Sequence, residues 1–362
     1  MSSILSSLFK RTAAPTEEER VFCHYPFTSL FITLDGLVRP CCFSSPIGDL
    51  HDQDIEEMWN SPVARATRNH LSRGDMDGAG CGGCGFRGRR DIETFPRNPG
   101  LGQRQDVADN IRLQNEEYDT DSEALRSFPS YVVVQVTEAC NFECTMCFQD
   151  HEPVHLETNL LDKVMKHAHQ FDEIQFTGGE PFLSKWVQKF LRNFDPACGT
   201  KLSFTTNGSL LHKFKEELER LPRVHLGISV DGASSETYEK IRVGAKWAEV
   251  SANVEWFSEQ RRFHRPLWDT SRLAFVIMKS NYEEIPAFVE WARTLEMPVL
   301  FCPVWGEFAP GENIFDHPEL CAGLTSTSQI IAKAEGIAEK MPIYERTETI
   351  KSLRHSLEKL PH

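Results

Sequence analysis

Three cysteines crowd the stretch "QVTEACNFECTMCFQD" (135–150): Cys140, Cys144 and Cys147, spaced C-x3-C-x2-C. Clustered thiols suggest metal or redox chemistry. A cubane iron–sulfur cluster usually takes four cysteine thiolates, and a structural zinc ion usually closes with four ligands. This run supplies three. A loop of this spacing can wrap one corner of a four-iron cluster, with each thiolate on a different iron, and leave the fourth iron to a small molecule. A zinc site completed from elsewhere in the chain is the other reading of the same three residues.

Such a loop needs a framework. Short apolar or β-branched runs at 131–137, 173–177, 202–206, 225–231, 272–278 and 299–305 read as strands. Between them lie helical patterns such as "NLLDKVMKHAHQF", "KWVQKFLRNF" and "WAEVSANVEWFSEQRRF". Strands alternating with helices predict an α/β chain with a parallel sheet and helices outside it. Sheets of this kind place ligand sites at the C-terminal ends of their strands. The cysteine run follows the first strand directly. "TGGEP" (177–181) follows the second, "TTNG" (205–208) the third and "SVDG" (229–232) the fourth. The glycines of "TGGEP" let backbone approach a ligand closely. Ser229 and Asp231 alternate along an extended chain, so both are expected to face inward.

These elements, taken in order, resemble the radical S-adenosylmethionine (SAM) superfamily, whose defining motif is C-x3-C-x2-C. The resemblance implies a partial (β/α)6 TIM barrel. It also implies a [4Fe–4S] cluster on Cys140, Cys144 and Cys147 with SAM at the open iron. In the family, reductive cleavage of SAM yields a 5′-deoxyadenosyl radical that abstracts a substrate hydrogen; the cofactor carries the hard chemistry while the protein orients and shields it. By the same resemblance, Phe148 packs near adenine. Thr177, Gly178, Gly179 and Glu180 hold the methionyl amine, and Asn207 faces the site. Ser229 and Asp231 belong to the ribose and methionyl contacts, and Arg242 meets the SAM carboxylate. Ile277 and Met278 on the fifth strand are expected near adenine.

A second cysteine group lies upstream, at 23, 41, 42, 81 and 84. Its context resembles the SPASM and twitch auxiliary-cluster domains: a hairpin ("SLFITL", a turn at Asp35-Gly36, "LVRPC"), then "IGDL" and "IEEMWNS", then Cys81-x2-Cys84. The resemblance implies one auxiliary [4Fe–4S] cluster on Cys23, Cys41, Cys81 and Cys84, in a domain that here precedes the barrel. A zinc ion held by the same four thiols is the alternative. The expected organisation is a flexible tail at 1–20, the cysteine-rich domain at 21–90 and a linker at 91–128. The barrel follows at 129–310, with a helical extension at 311–362.

The chain has 362 residues and a formal net charge of -14. That balance disfavours a general nucleic-acid binder, which needs Lys and Arg to displace counterions from phosphates. The basic runs "RGRR" (87–90) and "RRFHR" (261–265) read as solvated surface. No apolar run reaches membrane-spanning length, and a cytoplasmic protein is expected. The implied partners are a small-molecule or peptide substrate and an electron donor such as flavodoxin or ferredoxin. The reading leans toward oxidation or epimerisation of a small sugar-like or aminocyclitol substrate. Peptide modification is the close rival, and a non-catalytic iron–sulfur or zinc protein the alternative of another class. Cys302, in the sixth strand, is a hydrogen-atom donor if its side chain faces the interior; a packed, inert thiol is the bland reading.

Overall fold

The computed structural model describes residues 23–82, 84, 103–264, 267–268, 270–304, 309–317 and 324–357. The expected tail at 1–20 and the basic run at 87–90 lie outside the described residues. The chain divides into two compact units, the second made up mainly of the residues from Val133 onward.

The first unit opens with a helical turn, α1 (Tyr25–Thr28), and an antiparallel hairpin of β1 (Ser29–Ile32) and β2 (Leu37–Arg39). Ile32 pairs with Val38, and Gly36 in the turn takes φ 81°, a conformation that only glycine adopts freely. A third short strand, β3 (Gly48–Asp49), pairs with β2. Helix α2 (Ile55–Trp59) starts on a capping box of Asp54 and Glu57, and α3 (Pro62–Ser72) starts on Ser61, whose hydroxyl accepts from Ala64 N.

The stretch read as a linker, 91–128, contains a helix, α4 (Gln105–Asp119), that belongs to this unit. Its acidic, polar composition suggested solvent, but several of those side chains bond to the backbone that follows. Asn110 and Gln114 donate to Phe128 O, and the buried Glu117 accepts from Arg126 N at 2.6 Å. Arg68, 1% exposed, donates to the carbonyls of Pro26, Trp59 and Glu123 and lies over the Trp59 ring. Glu117 and Arg68 thereby have partners, and a buried polar group left without one would cost about 1–3 kcal/mol.

The second unit holds six strands in the order β11-β10-β8-β7-β6-β4. They are β4 (Tyr131–Thr137), β6 (Glu173–Gly178), β7 (Lys201–Thr206), β8 (Val224–Ser229), β10 (Arg272–Ile277) and β11 (Val299–Pro303). Neighbouring strands from β6 through β11 pair in parallel. Helices α5 (Thr158–Met165), α6 (Lys185–Asn193), α7 (Lys215–Glu219), α8 (Ser235–Ile241), α9 (Trp247–Phe263) and α10 (Ile285–Leu295) separate the strands. This is the expected α/β partial barrel. Alternate strand residues are sealed: Val134 and Val136, Ile174 and Phe176, Leu202 and Phe204, Leu273 and Phe275 are all 0% exposed. Burying each such side chain contributes about 1.5–3 kcal/mol. The residues between them are small or polar and face the lumen.

A two-stranded pairing closes the site end of the second unit. β5 (Glu143–Cys144) runs antiparallel to β9 (Arg242–Val243) and sets Cys144 opposite Arg242.

The C-terminal extension forms α11 (Leu324–Ala338) and α12 (Ile343–Leu357). Helix α12 covers the edge strand β11. Thr349 Oγ1 accepts from Val299 N, and Ser352 Oγ accepts from Phe301 N and donates to Val299 O. Ser356 Oγ donates to Phe301 O at 2.7 Å. Helix hydroxyls thus satisfy the backbone groups that an open edge would expose. Arg261, read as solvated surface, is 0% exposed; it pairs with Glu345 of α12 at 3.0 Å and donates to Glu296 O.

Candidate functional site

The site grows from the root of the cysteine loop. Thr137, last in β4, accepts from Gly179 N through its carbonyl, and Ala139 O accepts from Glu180 N. Gly178 has φ 141°, and a Cβ there would stand 2.0 Å from Thr137 O. A Cβ on Gly179 would stand 2.4 Å from Ala139 O. These two positions admit only glycine, because two backbone segments touch there.

Cys140, Cys144, Cys147, Phe148, Thr177, Gly178, Gly179, Asn207, Ser229, Arg242 and Cys302 line one cavity of about 520 Å³ at the C-terminal strand ends. It brings together most of the expected site residues. Each of the three loop thiols also has one nitrogen partner. Asn207 Nδ2 donates to Cys140 Sγ at 3.8 Å and Arg242 Nη1 to Cys144 Sγ at 3.6 Å; His151 Nε2 lies 3.1 Å from Cys147 Sγ. Burial pushes the Cys140 and Cys144 thiols up, and at Cys144 the Arg242 charge opposes it. Thiols that resist ionisation in isolation, yet already have N–H partners and a guanidinium beside them, suit a cationic metal cluster that would take them as thiolates. Among the described residues, no three His, Cys, Asp or Glu side chains group as ligands of a single metal ion.

Two expected ligand contacts are instead braces. Glu180 is 0% exposed and does not line the cavity. Its carboxylate accepts from Phe182 N at 3.1 Å, Asn207 N at 2.8 Å and the Thr206 hydroxyl at 2.9 Å, so it fixes the turn that aims Asn207. Burial pushes its pKa up to about 7, while these donors pull the other way. Alanine at Glu180 strands those donors and is expected to cost about 3 kcal/mol or more, read as a lower urea midpoint at unchanged slope.

Asp231 is likewise 0% exposed. It accepts from Val276 N and, at 2.7 Å, from Arg242 Nε, while Arg242 Nη2 lies 2.5 Å from the same carboxylate. Asp231 therefore positions Arg242. Burial works against the Arg242 charge, but Asp231 and Cys144 hold its pKa above the usual arginine value. Arg242, 8% exposed, is no surface residue.

On β10 the expectation for Ile277 and Met278 is overturned. They are 1% and 0% exposed and absent from the lining, whereas Val276 lies on it. The outward-facing parity of Leu273, Phe275 and Ile277 explains the first; Met278, just past the strand end, is buried in a cluster with Ile241, Val304 and Ala309. Sequence reasoning also missed His151, Gln149, Met146 and Thr205 on the lining. Among these, His151 takes φ 57°, a conformation that side chains bearing a Cβ rarely hold.

In the first unit, Cys23 is pushed up to about 12, first by burial and then by the nearby charges of Cys41, Cys81 and Cys84. Cys81 is raised to about 11, by burial and then by Cys41 and Cys84. Four mutually opposing thiols fit a cationic cluster that would relieve their repulsion. Cys42 is exposed and does not figure among the charges acting on Cys23.

Residues 134–292 match the radical SAM superfamily, and residues 23–85 match SPASM, an iron–sulfur cluster-binding domain. The GTP 3′,8-cyclase of Vibrio atlanticus (strain LGP32) is 26% identical over 215 residues, 56% of this chain and 61% of that protein. The GTP 3′,8-cyclase of Chlorobaculum tepidum is 29% identical over 214 residues, 52% of this chain and 62% of that one. The chain thus spans about three-fifths of the length of these curated relatives. Among solved structures, Streptococcus suis SuiB bound to S-adenosylmethionine aligns with 17% identity and a TM-score of 0.44, over 59% of this chain and 51% of that one. The two matched domains imply SAM, a [4Fe–4S] cluster and an auxiliary cluster. With its three-cysteine loop at the end of the first barrel strand and its cysteine-rich domain upstream, the chain carries a radical SAM domain over residues 134–292 and a SPASM domain N-terminal to it.

Proposed function

We propose that this protein cleaves SAM reductively and uses the resulting 5′-deoxyadenosyl radical on a small hydroxylated substrate, sugar-like or aminocyclitol, in an oxidation or epimerisation. Cys140, Cys144 and Cys147 would hold the [4Fe–4S] cluster that binds SAM, and Cys23, Cys41, Cys81 and Cys84 the auxiliary one. The observation that carries the reading is the single cavity shared by the three loop cysteines, Arg242 and Cys302. When bound, the cluster supplies the electron that breaks the sulfonium C–S bond. The chain's own residues do the rest. Arg242, braced by Asp231, offers a fixed cation for the SAM carboxylate. The Thr177–Gly179 backbone lies open to the methionyl amine, and the exposed Phe148 ring supplies an adenine platform. The curated relatives are named for a reaction on GTP; the shared span supports radical chemistry on a small polar molecule here.

Cys302 gives the reading its outcome. Burial pushes its thiol up, so the S–H is intact near neutral pH. Donation of that hydrogen atom to a carbon-centred substrate radical would form C–H, leave a thiyl, and give epimerisation. A low-potential one-electron donor and a proton would then restore the thiol. The test is anaerobic reconstitution with SAM and dithionite, with liquid chromatography for 5′-deoxyadenosine. No 5′-deoxyadenosine from protein with filled clusters would sink the proposal. Cys302→Ala is expected to keep forming 5′-deoxyadenosine while losing the inverted product at least about tenfold. Unchanged turnover and stereochemistry in Cys302→Ala would remove the donor role and leave oxidation.

A further inference from the structure

The nitrogen neighbours of the three loop thiols are not held alike. Asn207 and Arg242 each also donate to a protein oxygen, of Asn141 and Asp231, and stand 3.8 and 3.6 Å from sulfur. His151 Nε2 comes closer, 3.1 Å from Cys147 Sγ, and its ring lines the cavity. The backbone is bent to put it there. His151 takes φ 57°, and Val154 N donates to Glu152 O at 2.7 Å in a three-residue turn. The chain so reversed rejoins the end of β4. Glu138 N and Thr137 Oγ1 both donate to Val154 O, and Leu156 N donates to Val136 O. At the other end Cys147 N donates to Cys144 O. Residues 148–153 are thus pinned on both sides. A left-handed backbone on a residue with a Cβ persists only where its surroundings over-determine it, and such positions cluster at functional sites.

A thiolate has no proton to give. With Cys147 as an iron ligand, the hydrogen bond can run only from Nε2–H to sulfur. The ring is free to adopt that tautomer, because Nδ1 has no hydrogen-bond partner among the described residues. Uptake of one electron adds negative charge to a cluster and its sulfurs, and an N–H dipole aimed at one of those sulfurs favours the reduced form. Hydrogen bonds to sulfur are among the levers that set the potential of such clusters.

We propose that His151 donates a hydrogen bond to the Cys147 thiolate and thereby raises the reduction potential of the cluster on Cys140, Cys144 and Cys147. A weaker low-potential donor can then supply the one electron that the proposed cleavage of SAM consumes. No bond is made or broken at His151, and its proton stays on nitrogen. The inference rests on the proposed cluster assignment. His151 acts through Cys147 and is a positioning residue.

The test is a redox titration of the anaerobically reconstituted, SAM-free full chain, followed by electron paramagnetic resonance. The loop cluster is the reduced signal missing when Cys140, Cys144 and Cys147 are all replaced by alanine. At the potential where that cluster is half reduced in the wild type, its reduced-to-oxidised ratio is expected to fall about tenfold in His151→Phe, the loss of one hydrogen bond to a charged group. His151→Gln, whose amide still offers an N–H, is expected to stay within about threefold. The iron content and the ratio at the auxiliary cluster are expected to stay as in the wild type. An unchanged ratio in His151→Phe, or an equal fall at both clusters, would overturn the proposal. Should His151→Phe fail to load iron, wild-type protein carrying 15N-labelled histidine decides. A small nitrogen coupling to the reduced loop cluster, absent in His151→Gln, supports the hydrogen bond. No coupling, or the large coupling of a nitrogen bound directly to iron, overturns it. Formation of 5′-deoxyadenosine on adding SAM is a separate readout, and its absence with the shift in ratio intact would count against the radical reading alone.

Discussion

Alanine at Cys140, Cys144 and Cys147 together is expected to abolish 5′-deoxyadenosine formation and to remove about half of the bound iron. The loop supplies three thiols to one cavity, and no neighbouring described cysteine other than Cys302 lines it. The SPASM cysteines sit in the other compact unit and, on the proposed assignment, would keep their own cluster. The loss of activity is therefore complete, beyond about 10³-fold, because the group that carries the chemistry is gone. Iron and sulfide analysis with Mössbauer spectroscopy of the variant checks it. Retention of all the iron, or residual turnover within tenfold of wild type, would contradict the ligand assignment.

Asp231→Ala is expected to have the next largest effect, on both stability and SAM binding. The substitution leaves Arg242 buried at 8% exposure with its carboxylate partner removed. Breaking a buried pair from one side costs about 3–5 kcal/mol, and the Val276 N–H loses its acceptor as well. Arg242 then loses the brace that holds it against Cys144 and above the cavity. The expected result is a drop of several degrees in melting temperature and a SAM dissociation constant raised at least about tenfold. Asp231→Asn keeps the shape and one acceptor, and should fall between the two. A variant as stable and as SAM-competent as wild type would show that Asp231 is dispensable as a positioning residue.

Much of the site was legible because it is local. The C-x3-C-x2-C spacing, the Gly-Gly after the second strand and the strand–helix alternation are readable from neighbours in sequence; they lead to the right fold and to the loop that lines the cavity. Depth was not legible. Glu180 and Asp231 read as ligand contacts because they follow strand ends, yet their oxygens are spent on Asn207, Thr206 and Arg242. Only the three-dimensional fold shows a carboxylate already surrounded by protein donors. Parity was the second gap: the lining Val276 and the buried Ile277 are consecutive residues, and an apolar run alone does not reveal which face is sealed. Polar helices were the third. Helix α4 hides in an acidic stretch, and α12 meets β11 through Thr349, Ser352 and Ser356, whose pattern suggests solvent. Their partners are backbone groups, which leave no mark in the sequence.

The most direct measurement is electron–nuclear double resonance on the dithionite-reduced protein with SAM labelled with 15N at the methionyl amine. The account predicts a hyperfine coupling between that nitrogen and the cluster held by Cys140, Cys144 and Cys147, absent in the triple-alanine variant. Anaerobically prepared protein that shows no coupling, and carries zinc on those three thiols, would contradict it.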